Sequence, residues 1–189
     1  MKKRNDRAII RVVIATGISS VVTQLLTIRE FLTQFQGNEI VIALILFNWL
    51  VLGGIGTLAA RVLAKNTRKT TIHILASLSL VLSPLALLQI MAIRQLRDLL
   101  FIQGSSVGFY PTLLFSFLTI APYCLLLGFV LPYSLFVLRT HAAGYPGARI
   151  YIADNIGDVS GGALFSFVLV FWVNPLTALF LAHLPLIIS

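Results

Sequence analysis

Cysteine and acid are what this sequence has least of. Its single cysteine, Cys124, lies in an apolar segment, which rules out an intrachain disulfide framework and a cysteine-based metal site. Six acidic residues stand against fourteen Lys and Arg, and charged residues make up only 11% of the 189-residue chain. A soluble domain of this size needs a charged exterior, so a soluble catalytic domain is excluded. The three histidines, His73, His141 and His183, show no pairing at metal-ligand spacing. Two of them could in principle ligate a haem, but lone histidines are more often hydrogen-bonded structural residues. No serine, cysteine or histidine constellation for nucleophilic catalysis is visible. No catalytic residue, metal ligand or cofactor is assigned on this basis, and whether the chain belongs to an enzyme stays open.

What fills the chain instead is apolar side chain, 58% of it. A helix needs about 20 apolar residues to cross the hydrocarbon core of a bilayer. Five stretches qualify: 12–35, 39–62, 72–93, 111–138 and 150–173. The breaks between them have local causes. Gln36-Gly37-Asn38 suits a tight turn, Lys65-Asn66-Thr67-Arg68-Lys69 is a charged loop, and Gly144-Tyr145-Pro146-Gly147 cannot continue a helix. Residues 94–109 form the longest connection, where Leu96, Leu99, Leu100 and Phe101 suggest a short helix lying in the interface. Asn174-Pro175 reads as a helix N-cap followed by proline at the first helical position. The sixth segment, 174–189, would be only about 22 Å long at ~1.5 Å per residue, short of a ~30 Å core. It reads as incomplete, and the chain as the front part of a longer protein. The expected fold is all-α, a polytopic transmembrane bundle of about six spans forming one transmembrane domain.

The bases fix an orientation. Lys2, Lys3, Arg4, Arg7, Arg11, Arg61, Lys65, Arg68, Lys69, Arg139 and Arg149 fall on one side, and only Arg94 and Arg97 on the other. The positive-inside rule then places the N-terminus in the cytoplasm. Because the bases sit at the ends of apolar runs and form no continuous patch, the bilayer is the partner they indicate and nucleic acid is not. Met1-Lys2-Lys3-Arg4 imitates a signal peptide, but the apolar run that follows is too long and lacks a small-residue cleavage site. It is read as a retained first span.

Ionisable groups inside spans are costly and mark function by default. An outer cluster contains Gln24, Arg29, Glu30, Gln34, Asn38 and Glu39. Ser20, Gln24, Thr27, Glu30 and Gln34 follow a three-to-four spacing and share one helical face. An external ligand site is one reading; the favoured one is a polar lock of Gln24, Arg29, Glu30, Asn38 and Glu39 tying the first helix to the second. The inner cluster is Asp154, Asn155 and Asp158. Asp154 and Asp158 are four apart and share a face. In a low-dielectric setting two close carboxylates must share a proton, pair with a base such as Arg139 or Arg149, or hold a cation. Acids complementing the positive end of a helix are the equal alternative. Gly157, Gly161 and Gly162 on the fifth span, and Gly53 and Gly56 on the second, are small-residue tracks suited to close helix packing. Leu52-Gly53-Gly54-Ile55-Gly56 lies mid-span with no preceding strand, so it is no phosphate loop. Pro84, Pro122 and Pro132 should kink their spans.

One family carries a similar string of motifs. Gln24, Arg29-Glu30, Phe35-x-Gly37-Asn38-Glu39, Trp49-Leu50 with Gly53 and Gly56, Gly128 with Pro132, and Tyr151-x-x-Asp154-x-x-Gly157 with Gly161-Gly162 together resemble the membrane region of bacterial spermidine synthase-like proteins, relatives of the polyamine aminopropyltransferases. The resemblance implies a multi-pass domain in the bacterial inner membrane, anchoring or partnering a cytoplasmic aminopropyltransferase-like domain with a glycine-rich nucleotide loop and a catalytic acid. Nothing in these residues matches that domain, so aminopropyl transfer would belong to a separate part. A polyamine is the ligand the resemblance suggests for the acidic pair. Two further functions stay open: a transporter of cations or small molecules, suggested by intramembrane charges and prolines, and a structural subunit of a larger membrane complex.

Overall fold

In the computed structural model, residues 2–36, 39–66, 72–102, 104–141 and 145–188 are described, and their regular structure is all helical. The helices are α1 (Lys2–Gln34), α2 (Glu39–Asn66), α3 (Ile72–Leu100), α4 (Phe109–His141), α5 (Gly147–Leu164), α6 (Val170–Trp172) and α7 (Pro175–Ile188). A π-helical segment, Phe165–Leu169, joins α5 to α6 and makes one long span of Gly147–Trp172. Among the described residues five helices are long and apolar enough to cross a bilayer, and together they make this a multi-pass membrane protein. The sixth, α7, has 14 residues, about 21 Å at 1.5 Å per residue.

With little polar surface to drive helices together in lipid, close backbone approach has to do that work. Two parallel pairs show it. In the pair α1 and α5, Gly157 lies against the Ile14 carbonyl, and a Cβ on Gly161 would stand 2.6 Å from the Ile18 carbonyl oxygen. From the other side, a Cβ on Gly17 would stand 2.6 Å from the Asp154 carbonyl oxygen. In the pair α2 and α4, Gly56 lies against the Leu125 carbonyl and Gly128 against that of Gly53. Of the five glycines expected to pack helices, Gly56, Gly157 and Gly161 therefore meet a neighbouring backbone through their Cβ positions, and Gly53 does so through its own backbone, against Gly128. Gly162 meets only the Val21 side chain, and a Cβ on Gly53 would meet nothing within 4 Å. α1 is the most enclosed of the spans, with α3, α4, α5 and α7 packed around it.

The ends of α1 and α3 differ from expectation. No separate interfacial helix follows residue 93. α3 runs unbroken to Leu100, because nothing between Ile93 and Leu100 interrupts a helix and Ile90, Ile93 and Arg97 continue its buried stripe. Phe31, Phe35, Phe101 and Phe115 then close this end of the bundle as an aromatic cluster, with ring centroids 5.5–6.0 Å apart. Beyond α1, Gln36 takes a left-handed φ of 61° and its side-chain amide donates to the Gly104 carbonyl at 3.1 Å. Helices α3 and α4 run through Pro84, Pro122 and Pro132. At the start of α7, Asn174 accepts a hydrogen bond from the Thr177 amide at 2.8 Å, the N-cap that the Asn-Pro pair predicts.

Candidate functional site

The two parallel pairs leave a crevice of about 380 Å³ between them. α1 lines it with Thr16, Ser20 and Gln24, a stripe at four-residue spacing; α5 adds Asp154 and Asp158 at the same spacing. From α2 come Trp49, Gly53, Gly54 and Thr57, and from α4 Cys124, Leu127, Gly128 and Leu131. The missing side chains matter here. A Cβ on Gly53 or Gly54 would meet nothing within 4 Å, so the side-chain positions of these two glycines face open space and widen the crevice, although the Gly53 backbone itself packs against Gly128 of α4.

Ser20 and Asp158 meet across α1 and α5. The Ser20 hydroxyl lies 3.4 Å from Asp158 Oδ1 and 2.9 Å from the Gly17 carbonyl oxygen, so its one proton has two acceptors in reach. Ser20 is nine residues past Arg11, and Asp158 nine past Arg149. At ~1.5 Å per residue both sit about 13 Å into the bundle from the basic end, at matching depth on parallel helices. The ion pairs among the described residues are Glu30 with Arg94 and Arg97 with Asp98. Neither includes Asp154 or Asp158, so neither Arg139 nor Arg149 pairs with them there. Asn155 is exposed on the outer side of α5 and takes no part in the crevice.

The outer cluster is built differently from expectation. Glu30, only 5% exposed, accepts from Arg94 Nη2 at 2.6 Å and from Arg94 Nε at 2.8 Å. Gln89 donates to Thr27 Oγ1 at 2.6 Å, and Arg97 Nε donates to the Gln34 carbonyl at 3.2 Å. Among the described residues the lock therefore ties α1 to α3, not to α2. Arg29 and Glu39 are exposed, Gln24 lines the crevice, and Asn38 lies outside the described residues. Arg94, Arg97 and Gln89 are the partners that sequence reasoning missed. The three-to-four spacing of Ala86, Gln89, Ile90, Ile93 and Arg97 carried the signal, and it was obscured by ending the span before the arginines.

Among the described residues no group of three or more His, Cys, Asp or Glu side chains could hold a metal ion. His183 is buried, with Nδ1 2.8 Å from the Leu179 carbonyl oxygen, and His73 is exposed. Neither lines the crevice. The crevice thus offers two carboxylates, three hydroxyls, a thiol, an amide and an indole. Carboxylates and an aromatic face are the groups that hold an organic cation. No family model, curated protein or solved structure matches the chain.

Proposed function

We propose that this chain is a membrane domain that binds an organic polycation of the polyamine class in the crevice between α1, α2, α4 and α5. The observation that carries the reading is the convergence of Asp154, Asp158 and Ser20 on one cavity that Trp49 also lines. Two ionised carboxylates four residues apart on a helix stand roughly 6 Å from each other. At an effective dielectric of 20 their repulsion is about 3 kcal/mol. An alkylammonium group between them relieves that repulsion and donates hydrogen bonds to both, while its methylene chain lies along Leu127, Leu131 and the indole of Trp49. A hydrated inorganic cation would gain little from the apolar part of this lining.

The motif resemblance to spermidine synthase-like membrane regions points to the same ligand class and to a bacterial cytoplasmic membrane. Arg7, Arg11, Arg61, Arg139 and Arg149 at one end of the bundle, against Arg94 and Arg97 at the other, support a cytoplasmic N-terminus. The crevice then lies in the cytoplasmic half of the bilayer, where a partner aminopropyltransferase-like domain would release or take up polyamine. Equilibrium binding of radiolabelled spermidine to the purified protein in lipid nanodiscs tests the reading. Saturable binding that falls at least tenfold in Asp158→Asn is expected, and absence of binding in the unsubstituted protein would remove the polyamine assignment.

A further inference from the structure

The two ends of the crevice differ in charge. Counted at ~1.5 Å per residue from Arg11, Arg61, Arg139 and Arg149 at the basic end, Asp154 lies about 7 Å deep and Asp158 about 13 Å, whereas Trp49, Gln24 and Cys124 lie about 18, 20 and 22 Å deep. Both carboxylates of the lining therefore sit at its shallow end. The deep end is walled by Gln24, Trp49, Leu50 and Cys124.

The three hydroxyls of the lining have backbone acceptors. Thr16 donates to the Val12 carbonyl at 2.8 Å and Thr57 to that of Gly128 at 3.1 Å, while Ser20 has the Gly17 carbonyl at 2.9 Å. Gln24 is different. It is half-buried on the crevice face of α1, and its amide makes no hydrogen bond among the described residues. Such an amide carries a carbonyl acceptor and an NH₂ donor, and leaving them unpaired away from water costs free energy.

Charge sets a second constraint. Two carboxylates match two ammonium groups, and spermidine carries three. The third would lie at the deep end, beside an amide, an indole and a thiol. Taking an ion out of water costs several kcal/mol, whereas a desolvated cation–π contact returns about 2 kcal/mol. Trp49 also has part of its ring packed on Tyr123, with centroids 5.8 Å apart. Desolvation outweighs the contact, so a free ammonium is disfavoured there. An acyl cap on that nitrogen removes the charge and presents one N–H and one carbonyl, the complement of the acceptor and donor that Gln24 offers.

From this we infer that the deep end of the crevice is a neutral subsite read by Gln24, and that the crevice selects a polyamine acylated at one end, with its two ammonium groups at Asp154 and Asp158 and its amide at Gln24. The inference rests on the polycation reading above and specifies the form of the ligand.

Equilibrium binding of spermidine, its two monoacetylated forms and putrescine to the purified protein in nanodiscs tests it. The tighter of the acetylspermidines is expected to bind about tenfold more strongly than spermidine, which carries the surplus charge, and about tenfold more strongly than putrescine, which has two charges but no amide. Gln24→Leu should remove the advantage over putrescine. Gln24→Glu places a third carboxylate at the deep end and should reverse the order, so that spermidine binds more tightly than either acetyl form. Spermidine binding at least as tightly as both acetyl forms in the unsubstituted protein would overturn the neutral subsite and leave the polycation crevice standing. Equal binding of acetylspermidine and putrescine would overturn the contact with Gln24. Binding of none of these amines would instead remove the polycation reading, and the subsite with it.

Discussion

Ser20 on the first helix and Asp158 on the fifth meet at 3.4 Å, 138 residues apart in sequence, because glycines at 17, 157 and 161 let the two backbones close on each other. Packing and site are therefore one arrangement. Gly157→Ala puts a methyl group against the Ile14 carbonyl, where only backbone can yield. The expected outcome is a loss of about 1–3 kcal/mol of stability from overpacking, accompanied by weaker spermidine binding as Ser20 and Asp158 separate. Gly54→Ala is the matched control, since its added Cβ meets nothing within 4 Å and alanine favours helix. Thermal unfolding of the two purified variants should show a lowered midpoint for the first and an unchanged or raised one for the second.

The outer ion pair predicts an asymmetry. Glu30 is buried, whereas the Arg94 side chain is 32% exposed and long enough to reach the interface. Arg94→Gln leaves a buried carboxylate without its bidentate partner and should cost several kcal/mol. Glu30→Gln leaves an arginine that can turn towards water and should cost less. The double substitution should be milder than Arg94→Gln alone. A double-mutant cycle on thermal stability reads this directly, and equal effects of the two single changes would show that the burial difference has no energetic weight.

How much of this was legible in the sequence depends on the range of the interaction involved. Span positions follow from local apolar runs, and the α7 start follows from the Asn174-Pro175 pair, because both signals sit within a few residues. The sharing of a face by Asp154 and Asp158 follows from helical spacing alone. Pairing of α1 with α5 and of α2 with α4 does not, since a glycine track says that a backbone approaches without saying whose. Trp49 and Thr57 carried no sign of a site, because an aromatic and a hydroxyl inside a span have ordinary packing roles. Arg94 was misplaced for a physical reason: arginines end most spans, yet here a buried glutamate on a neighbouring helix keeps one on the helix face.

The Asn174 cap seats the short α7 against α1. Asn174→Ala removes the acceptor of the Thr177 amide and is expected to cost about 1 kcal/mol. Amide hydrogen exchange should speed up in the first turn of α7 and leave the α1–α5 contact unchanged. Protection at Thr177 equal to that of the unsubstituted protein would contradict the capping role.

Trp49 provides the most direct test of the polyamine crevice. The chain has two tryptophans, and Trp172 is 82% exposed on the outside of the bundle, so Trp172→Phe leaves Trp49 as the single reporter within the cavity. Titration of spermidine into that variant in nanodiscs should change Trp49 emission with a saturable dependence on concentration. The change should vanish when Asp154→Asn and Asp158→Asn are added together and persist when Arg29→Gln is added at the other end of the bundle. An emission unaffected by spermidine, or a response that survives loss of both aspartates, would contradict the account.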